Sequence, residues 1–199
     1  MNIAVFCSGF GSNLQAIIKA VKKAKIKANL SLVLSDNKHS YALKRAKRAG
    51  IKTIVIDPQP FKSREDFDRE VIKFLEQEKI DIIVLAGFMR IISPALITRY
   101  PNKILNIHPA LLPSFKGTHS IKGAFEYGSK ITGVTVHFVD DKMDHGPIIL
   151  QGVVKIEDKD TDETLEKKIH KLEHKLYPQA INLLVEGKLK LEGRRVKIV

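Results

Sequence analysis

The sequence predicts an α/β fold: a doubly wound, mostly parallel sheet of about seven strands with helices on both faces, plus a C-terminal hairpin. Two observations lead to this prediction. Short apolar segments alternate with segments of helical periodicity through the first 107 residues, which is typical of consecutive β–α units. Beyond residue 131 the pattern changes to two long extended segments, one long helix and a short hairpin. We expect residues 1–199 to form a single domain.

Five strands are predicted in the first half, each from a short apolar run. They are Asn2–Cys7, Leu30–Ser35, Thr53–Ile56, Ile82–Ala86 and Lys103–Ile107. The segments between them repeat apolar residues every three or four positions, which predicts amphipathic helices. These helices are Ser12–Lys23, Tyr41–Ala49 closed by Gly50, a helix capped by Ser63 with Phe67, Val71, Phe74 and Leu75 on its apolar face, and Pro94–Arg99.

Two extended segments follow in the last third of the chain. Thr132–Val139 alternates apolar and polar residues, and Pro147–Ile156 continues as a second strand after the loop Asp140–Gly146. We expect both strands to join the same sheet, with one antiparallel member.

A long helix and a hairpin complete the prediction. Thr161–Leu184 has helical spacing, with a kink or interruption expected at Pro178 because proline lacks the backbone donor. Lys188–Leu191 and Arg194–Ile198 flank Glu192-Gly193, a pattern that favours a two-residue hairpin turn.

The composition is that of a soluble globular protein, with 44% hydrophobic and 28% charged residues. No apolar run approaches the roughly 20 residues that a membrane helix needs. The strand at the N-terminus leaves no room for a signal peptide, and the single cysteine, Cys7, excludes an intramolecular disulfide. We therefore expect a cytoplasmic protein without a membrane partner.

The net charge of +12 raises the question of an anionic partner. The basic residues are scattered over several helices, which usually indicates solvated helix faces. No basic stretch is interleaved with aromatic residues in the manner of single-strand binding proteins. A nucleic-acid partner therefore has little support, and we expect small-molecule ligands.

Two polar residues interrupt the apolar strand that ends near residue 108. Because alternate side chains of a strand share a face, Asn106 and His108 should project together, with Ile107 opposite. The Asn amide supplies donors for an oxyanion, and the imidazole can transfer a proton. A carboxylate such as Asp144 could fix the His tautomer and favour its charged form. The alternative is a strand end whose polar groups cap the following proline-rich loop, and the residues alone leave both interpretations open.

The first loop, residues 8–13, indicates an anion site. Its glycines permit a tight turn, and free amides at a helix N-terminus bind anions. Leu14 stands where a dinucleotide fingerprint needs its third glycine, and the Walker lysine is missing. The remaining interpretations are a small phosphate held by backbone amides with Ser12 and Asn13, or an ordinary turn with a Ser N-cap. We expect this loop, Asn106 and His108 to lie on one rim of the sheet.

Several segments are similar to a known family. They are Gly9–Ala16, Leu85–Pro94, Asn106–Pro113, Asp144–Pro147 and the pairs Glu173-His174 and Tyr177-Pro178. With these motifs the chain resembles the phosphoribosylglycinamide formyltransferases, the folate-dependent glycinamide ribonucleotide transformylases of purine synthesis. The Asn-x-His-Pro segment with its downstream Asp is shared by the broader formyltransferase superfamily. The Gly-x-Gly-Ser-Asn loop narrows the resemblance to the ribonucleotide enzymes.

The resemblance implies transfer of the formyl group of 10-formyltetrahydrofolate, a co-substrate, to the amine of glycinamide ribonucleotide through a tetrahedral intermediate. Catalytic roles would fall to Asn106, His108 and Asp144. Substrate would be bound by Gly11, Ser12, Asn13, His170 and Glu173, although family members tend to carry Gln where this chain has His170. The folate would be bound by Arg64, Met89, Arg90, Ile91, Ile92, Asn106, Asp140 and Asp141. The resemblance implies no metal, and a monomer or a homodimer.

Rival functions come from other classes. A methionyl-tRNA formyltransferase should carry an appended tRNA-binding domain, and a formyltetrahydrofolate hydrolase a regulatory domain. A non-enzymatic nucleotide-binding module would leave the set of Asn106, His108 and Asp144 unexplained. The segment from His170 to His174 spells H-x-x-E-H, a zinc-protease pattern, but no third ligand is evident in the sequence.

Overall fold

A computed structural model describes residues 1–199 and contains nine strands and six helices. In chain order they are β1 (Asn2–Phe6), α1 (Ser12–Lys22), β2 (Asn29–Ser35), α2 (Tyr41–Arg48), β3 (Lys52–Val55), α3 (Arg64–Gln77), β4 (Ile82–Leu85), α4 (Pro94–Arg99), β5 (Ile104–His108), α5 (Ser120–Glu126), β6 (Ile131–Phe138), β7 (Ile148–Lys155), α6 (Asp162–Val185), β8 (Leu189–Glu192) and β9 (Arg195–Ile198).

All nine strands belong to one sheet in the order β3-β2-β1-β4-β5-β6-β7-β9-β8. The first five strands pair in parallel, and β6 is antiparallel to both of its neighbours. The predicted α/β fold, its mostly parallel sheet and its antiparallel member are therefore confirmed. The predicted hairpin also forms, but its two-residue turn is Gly193-Arg194 and not Glu192-Gly193, because Glu192 pairs with Arg195. The hairpin extends the same sheet, since β9 lies beside β7 through the single register pair of Ile148 with Arg195.

The sheet separates two apolar cores, because successive side chains of a strand point to opposite faces. Ile3 and Val5 belong to a cluster of 29 buried residues that also takes its members from α1, α2 and α6. Ala4 and Phe6 belong to a second cluster of 15 buried residues, which packs against α3 and α4. We call these sides of the sheet the α1–α6 face and the α3–α4 face.

Two helices differ from the prediction. α5 was not predicted, because its seven residues contain Gly123 and are too short for a periodic pattern to emerge. α6 continues without interruption through Pro178. The adjacent Tyr177 is fully buried, and its hydroxyl donates to the carbonyls of Leu85 and Leu105, so tertiary contacts hold the helix where a backbone bond is lost. None of the helices combines the length and the apolarity needed to cross a bilayer.

The fold brings three loops to one edge of the sheet. β1, β4 and β5 are adjacent and parallel, so the loops that follow them leave from the same edge. The Ser8 amide donates to the Gly87 carbonyl at 2.9 Å, and the Met89 amide donates to Ser8 Oγ at 2.9 Å. The loop after β1 is therefore fastened directly to the loop after β4.

Candidate active site

A cluster of polar side chains lies at the end of β5. Asn106 and His108 are two residues apart on this strand, whereas Ile107 packs in the core of the α1–α6 face. His108 Nδ1 lies 3.5 Å from Asp144 Oδ2, and both side chains are less than a tenth exposed. The predicted three residues therefore converge: Asn106 and His108 share one side of the strand, and Asp144 approaches from the loop before β7.

The structure adds His137, which the sequence analysis did not identify. It lies directly opposite Asn106 in the β5–β6 register, and its Nε2 is 3.2 Å from Asn106 Nδ2. His137 Nδ1 donates to the Phe138 carbonyl at 2.7 Å, so Nε2 is left as the acceptor. Burial lowers the pKa of His137 although Asp144 lies nearby. A neutral His137 thus fixes the Asn106 amide, whose nitrogen keeps a second proton for another acceptor.

His108 and Asp144 are enclosed by the loop after β5. His108 Nε2 lies 2.8 Å from the Phe115 carbonyl, which can only accept, so this nitrogen carries a proton. The Gly117 amide donates to Asp144 Oδ2 at 2.9 Å. The alternative of a strand end that caps its following loop is thus realised for His108. It does not account for Asn106 or for Asp144, which comes from a different loop.

The loop after β1 places free backbone amides at the N-terminus of α1. Gly11 is the N-cap of α1 at φ +74°, and a Cβ at this position would lie 2.7 Å from the Ala42 Cβ. No side chain caps the helix, so the Ser N-cap interpretation is wrong. The first helical bond runs from the Gln15 amide to the Gly11 carbonyl, and the amides of Ser12 and Asn13 precede it. These amides point out of the helix N-terminus, where they favour an anion.

Helix α2 fixes the orientation of this loop. Ser40 Oγ donates to the Gly9 carbonyl at 2.8 Å, and the Ala42 amide donates to the same oxygen. Arg45 Nε donates to the Phe10 carbonyl at 3.0 Å. Because two successive carbonyls are held by α2, the amides that follow them are free to face the site.

Helix α6 contributes a buried carboxylate beside the loop. Glu173 is 3% exposed, and its Oε2 accepts from Asn13 Nδ2 at 3.0 Å and from His170 Nδ1 at 2.7 Å. The hydrogen bond from His170 to Glu173 raises the pKa of this His above its ordinary value of 6.5, and Glu166 acts in the same direction. The structure therefore brings the predicted substrate residues on the loop and on α6 together.

The H-x-x-E-H segment does not form a metal-binding arrangement. The rings of His170 and His174 stack with centroids 6.3 Å apart, and no group of three or more His, Cys, Asp or Glu side chains is placed to hold a metal ion.

Four of the predicted folate residues, Met89 to Ile92, lie on the loop between β4 and α4. Met89 and Ile91 are more than half exposed, and they form an apolar surface at the edge of the sheet. Ile92 is only 5% exposed and packs in the core of the α3–α4 face, so only its backbone can reach a ligand. The loop is held by buried Asp68, which accepts from the Ser93 amide at 2.6 Å and was not identified from the sequence.

The two predicted arginines lie on different segments of the chain. Arg90 places its guanidinium 4.4 Å from the centroid of the Phe67 ring, a cation–π contact. Arg64 begins α3, where it is exposed and paired with Glu65 at 3.0 Å.

The loop that carries Asp144 is closed at its base. Asp140 Oδ2 lies 2.7 Å from His145 Nδ1, and Asp140 Oδ1 accepts from the Lys142 amide at 3.1 Å. Asp141 is exposed at the turn. The Asp140 carboxylate therefore stabilises the loop itself, whereas Asp141 is available to a ligand.

Known proteins share both the sequence and the fold. A family model described as formyl transferase matches residues 1–181. Phosphoribosylglycinamide formyltransferase of Escherichia coli is 44% identical over 96% of this chain and 90% of its own length. The protein of the same name from Bacillus subtilis is 41% identical over 92% and 93%. The crystal structure of glycinamide ribonucleotide transformylase 1 from Symbiobacterium toebii superposes with a TM-score of 0.98 at 44% identity, covering 100% of this chain and 94% of that one.

Proposed function

The chain belongs to the formyl transferase family, and we propose that it transfers the formyl group of 10-formyltetrahydrofolate to the amine of glycinamide ribonucleotide in purine biosynthesis. One observation supports glycinamide ribonucleotide as the molecule that accepts the formyl group. The anion-binding loop at Ser12, with buried Glu173 beside it, lies on the same edge of the sheet as Asn106 and His108. A phosphorylated sugar bound there would be directed along this edge toward the polar cluster.

The polar cluster suits acyl transfer to an amine. The amine attacks the formyl carbon, a C–N bond forms, and the carbonyl electrons move to the oxygen. The free proton of the Asn106 amide stabilises the resulting oxyanion. His108 gives up its hydrogen bond to the Phe115 carbonyl and donates to the oxyanion instead. The Asp144 carboxylate supports positive charge on the imidazole ring. As the intermediate collapses, the carbonyl re-forms and the bond between the formyl carbon and N10 breaks. The proton lost by the amine reaches N10 of the departing folate, assisted by His108.

The nucleotide is held by the loop after β1 and by α6. The amides of Ser12 and Asn13 bind the phosphate at the helix N-terminus, which needs the close approach allowed by Gly11. Glu173 Oε2 already accepts two hydrogen bonds, so Oε1 is the acceptor for a ribose hydroxyl. The charge of His170 adds to the attraction for the phosphate.

The folate occupies the surface between β4 and α4. Met89, Ile91 and the backbone at Ile92 contact the pterin. Arg64 and Arg90 supply positive charge for the folate carboxylates. The loop of Asp140 and Asp141 closes over the ring, and Asn106 reaches the formyl group. The exposed side chains of Met89 and Ile91, and the Arg90 guanidinium over the Phe67 ring, support this placement.

We further propose a cytoplasmic single-domain enzyme that acts on small molecules, as a monomer or a homodimer, without a metal and without nucleic-acid or membrane partners. The scattered distribution of the positive charge supports a small-molecule role over binding to a polyanion.

A direct assay tests the function. The protein is incubated with 10-formyltetrahydrofolate and glycinamide ribonucleotide, and formylated ribonucleotide and tetrahydrofolate are measured together by mass spectrometry. The proposal expects the two products in equal amounts and neither without the acceptor. Release of formate in the absence of the acceptor would instead support a hydrolase, and no turnover with this acceptor would refute the assignment.

A further inference from the structure

The C-terminal hairpin reaches the loop that carries Asp144. The hairpin joins the sheet through only one register pair, Ile148 with Arg195. The preceding residue, Arg194, is exposed in the hairpin turn and directs its guanidinium to His145, 49 residues earlier. Arg194 Nη2 donates to the His145 carbonyl at 2.6 Å, and Nη1 lies 3.3 Å from His145 Nδ1 and 3.2 Å from Nε2. The contact therefore uses both the backbone and the side chain of His145.

His145 connects this arginine to the base of the loop. Its Nδ1 lies 2.7 Å from Asp140 Oδ2, and because a carboxylate only accepts, Nδ1 carries the proton. Arg194 Nη1 lies at nearly equal distances from Nδ1 and Nε2, so the guanidinium packs over the imidazole ring. Arg194 therefore binds the His145 carbonyl and packs on its ring, and the same ring donates to Asp140.

The segment held by these contacts includes a residue in a strained backbone conformation. Asp144 precedes His145 directly and has φ +49°, a conformation that residues other than glycine adopt only when their surroundings enforce it. On the other side, a Cβ at Gly146 would lie 1.8 Å from the Phe138 carbonyl, so the chain is pressed against β6 there. The carbonyl that Arg194 binds lies between these two constrained positions.

We propose that Arg194 is a positioning residue for formyl transfer. Arg194 touches none of the reacting groups. By holding the carbonyl and the ring of His145, it fixes Asp144 next to His108. It also keeps the loop Asp140–Gly146 in position for the folate. The C-terminal hairpin is thereby a part of the catalytic apparatus. This inference rests on the proposed function.

The test compares R194A with R195A, its matched control. Arg195 is the neighbouring residue, equally exposed, and its side chain has no hydrogen-bond or ion-pair partner. R194A should lower kcat about tenfold and raise KM for the formyl folate several-fold, while KM for the ribonucleotide stays unchanged, because displacement of a catalytic group by a fraction of an ångström already costs rate. R194K should recover part of the loss, since lysine can still donate to the carbonyl. Low millimolar guanidinium should rescue R194A but not change R195A.

Hydrogen exchange supplies a readout independent of activity. The amides of residues 139–146 should exchange faster in R194A than in the wild type or R195A, with the rest of the sheet unchanged. If the wild type turns over and R194A matches R195A in both kinetics and exchange, the positioning role is refuted and the proposed function stands. An inactive wild type refutes the function, whereas the exchange result still reports on the contact.

Discussion

Replacing Gly11 by alanine tests the anion site at a defined atomic contact. The residue has φ +74°, which costs a side-chain-bearing residue about 1–2 kcal/mol. The added Cβ would lie 2.7 Å from the Ala42 Cβ and 2.9 Å from its Cα, so backbone atoms must shift, at an overpacking cost of about 1–3 kcal/mol. The two costs together destabilise the variant by about 2–5 kcal/mol, and this destabilisation is relieved only if the loop moves away from α2.

Movement of the loop displaces the amides of Ser12 and Asn13 from the phosphate. If the loss falls on substrate binding, about 2–5 kcal/mol corresponds to a dissociation constant raised about 30- to 4,000-fold. The folate site should be little affected, because it lies on the loop between β4 and α4. Calorimetric titration of the folded variant with glycinamide ribonucleotide and, separately, with the folate measures both effects.

The same loop offers a matched control. A Cβ at Gly9 meets no atom within 4 Å, and Gly9 lacks a positive φ, so Gly9→Ala should bind both ligands like the wild type. The reasoning is refuted if Gly11→Ala weakens both ligands equally or leaves both unchanged. A lower melting temperature with unaltered ribonucleotide binding would show that the glycine serves only the packing of the loop against α2.

Four further variants test the remaining roles. Asn106→Ala and His108→Ala should each lower kcat about 10²–10³-fold in a folded protein, and near-wild-type turnover would contradict the mechanism. Asp144→Asn should reduce turnover and change the pH–rate profile, because an amide cannot support charge on His108; an unchanged profile and rate would remove Asp144 from the site. The hydrogen bond to Glu173 raises the pKa of His170, so its charge is present below that pKa and lost as pH rises through it. KM for the ribonucleotide, measured across that range, should rise with pH more steeply in the wild type than in His170→Gln, and parallel curves would contradict a role for this charge.

The local sequence pattern was sufficient to predict the strands and the shared orientation of Asn106 and His108. The β5 segment is apolar except at Asn106 and His108, and a period of two sends both to one side whatever the neighbouring strand is. His137 could not be identified in this way, since its role depends on the antiparallel register that places it opposite Asn106. A shift of that register by one residue would turn it to the other face. The alternating pattern of β6 was visible in the sequence, but its partner strand was not.

Features that depend on tertiary contact were outside the reach of the sequence. The unbroken α6 at Pro178 needs the bonds of Tyr177 to two strands, and the contact of Arg194 with His145 joins segments 49 residues apart. The Ser N-cap interpretation was wrong because Gly11, in a left-handed conformation, occupies the N-cap position before Ser12.

The division of the core into two faces has an evolutionary consequence. The proposed acceptor site draws on α1, α2 and α6, which pack on one face, whereas the proposed donor site draws on α3 and the loop before α4, which pack on the other. Substitutions that reshape one core leave the packing of the other largely intact, since the sheet lies between them. Substitutions on the α1–α6 face could therefore change which molecule accepts the formyl group during evolution. The α3–α4 face, which binds the folate in this proposal, would remain under separate selection.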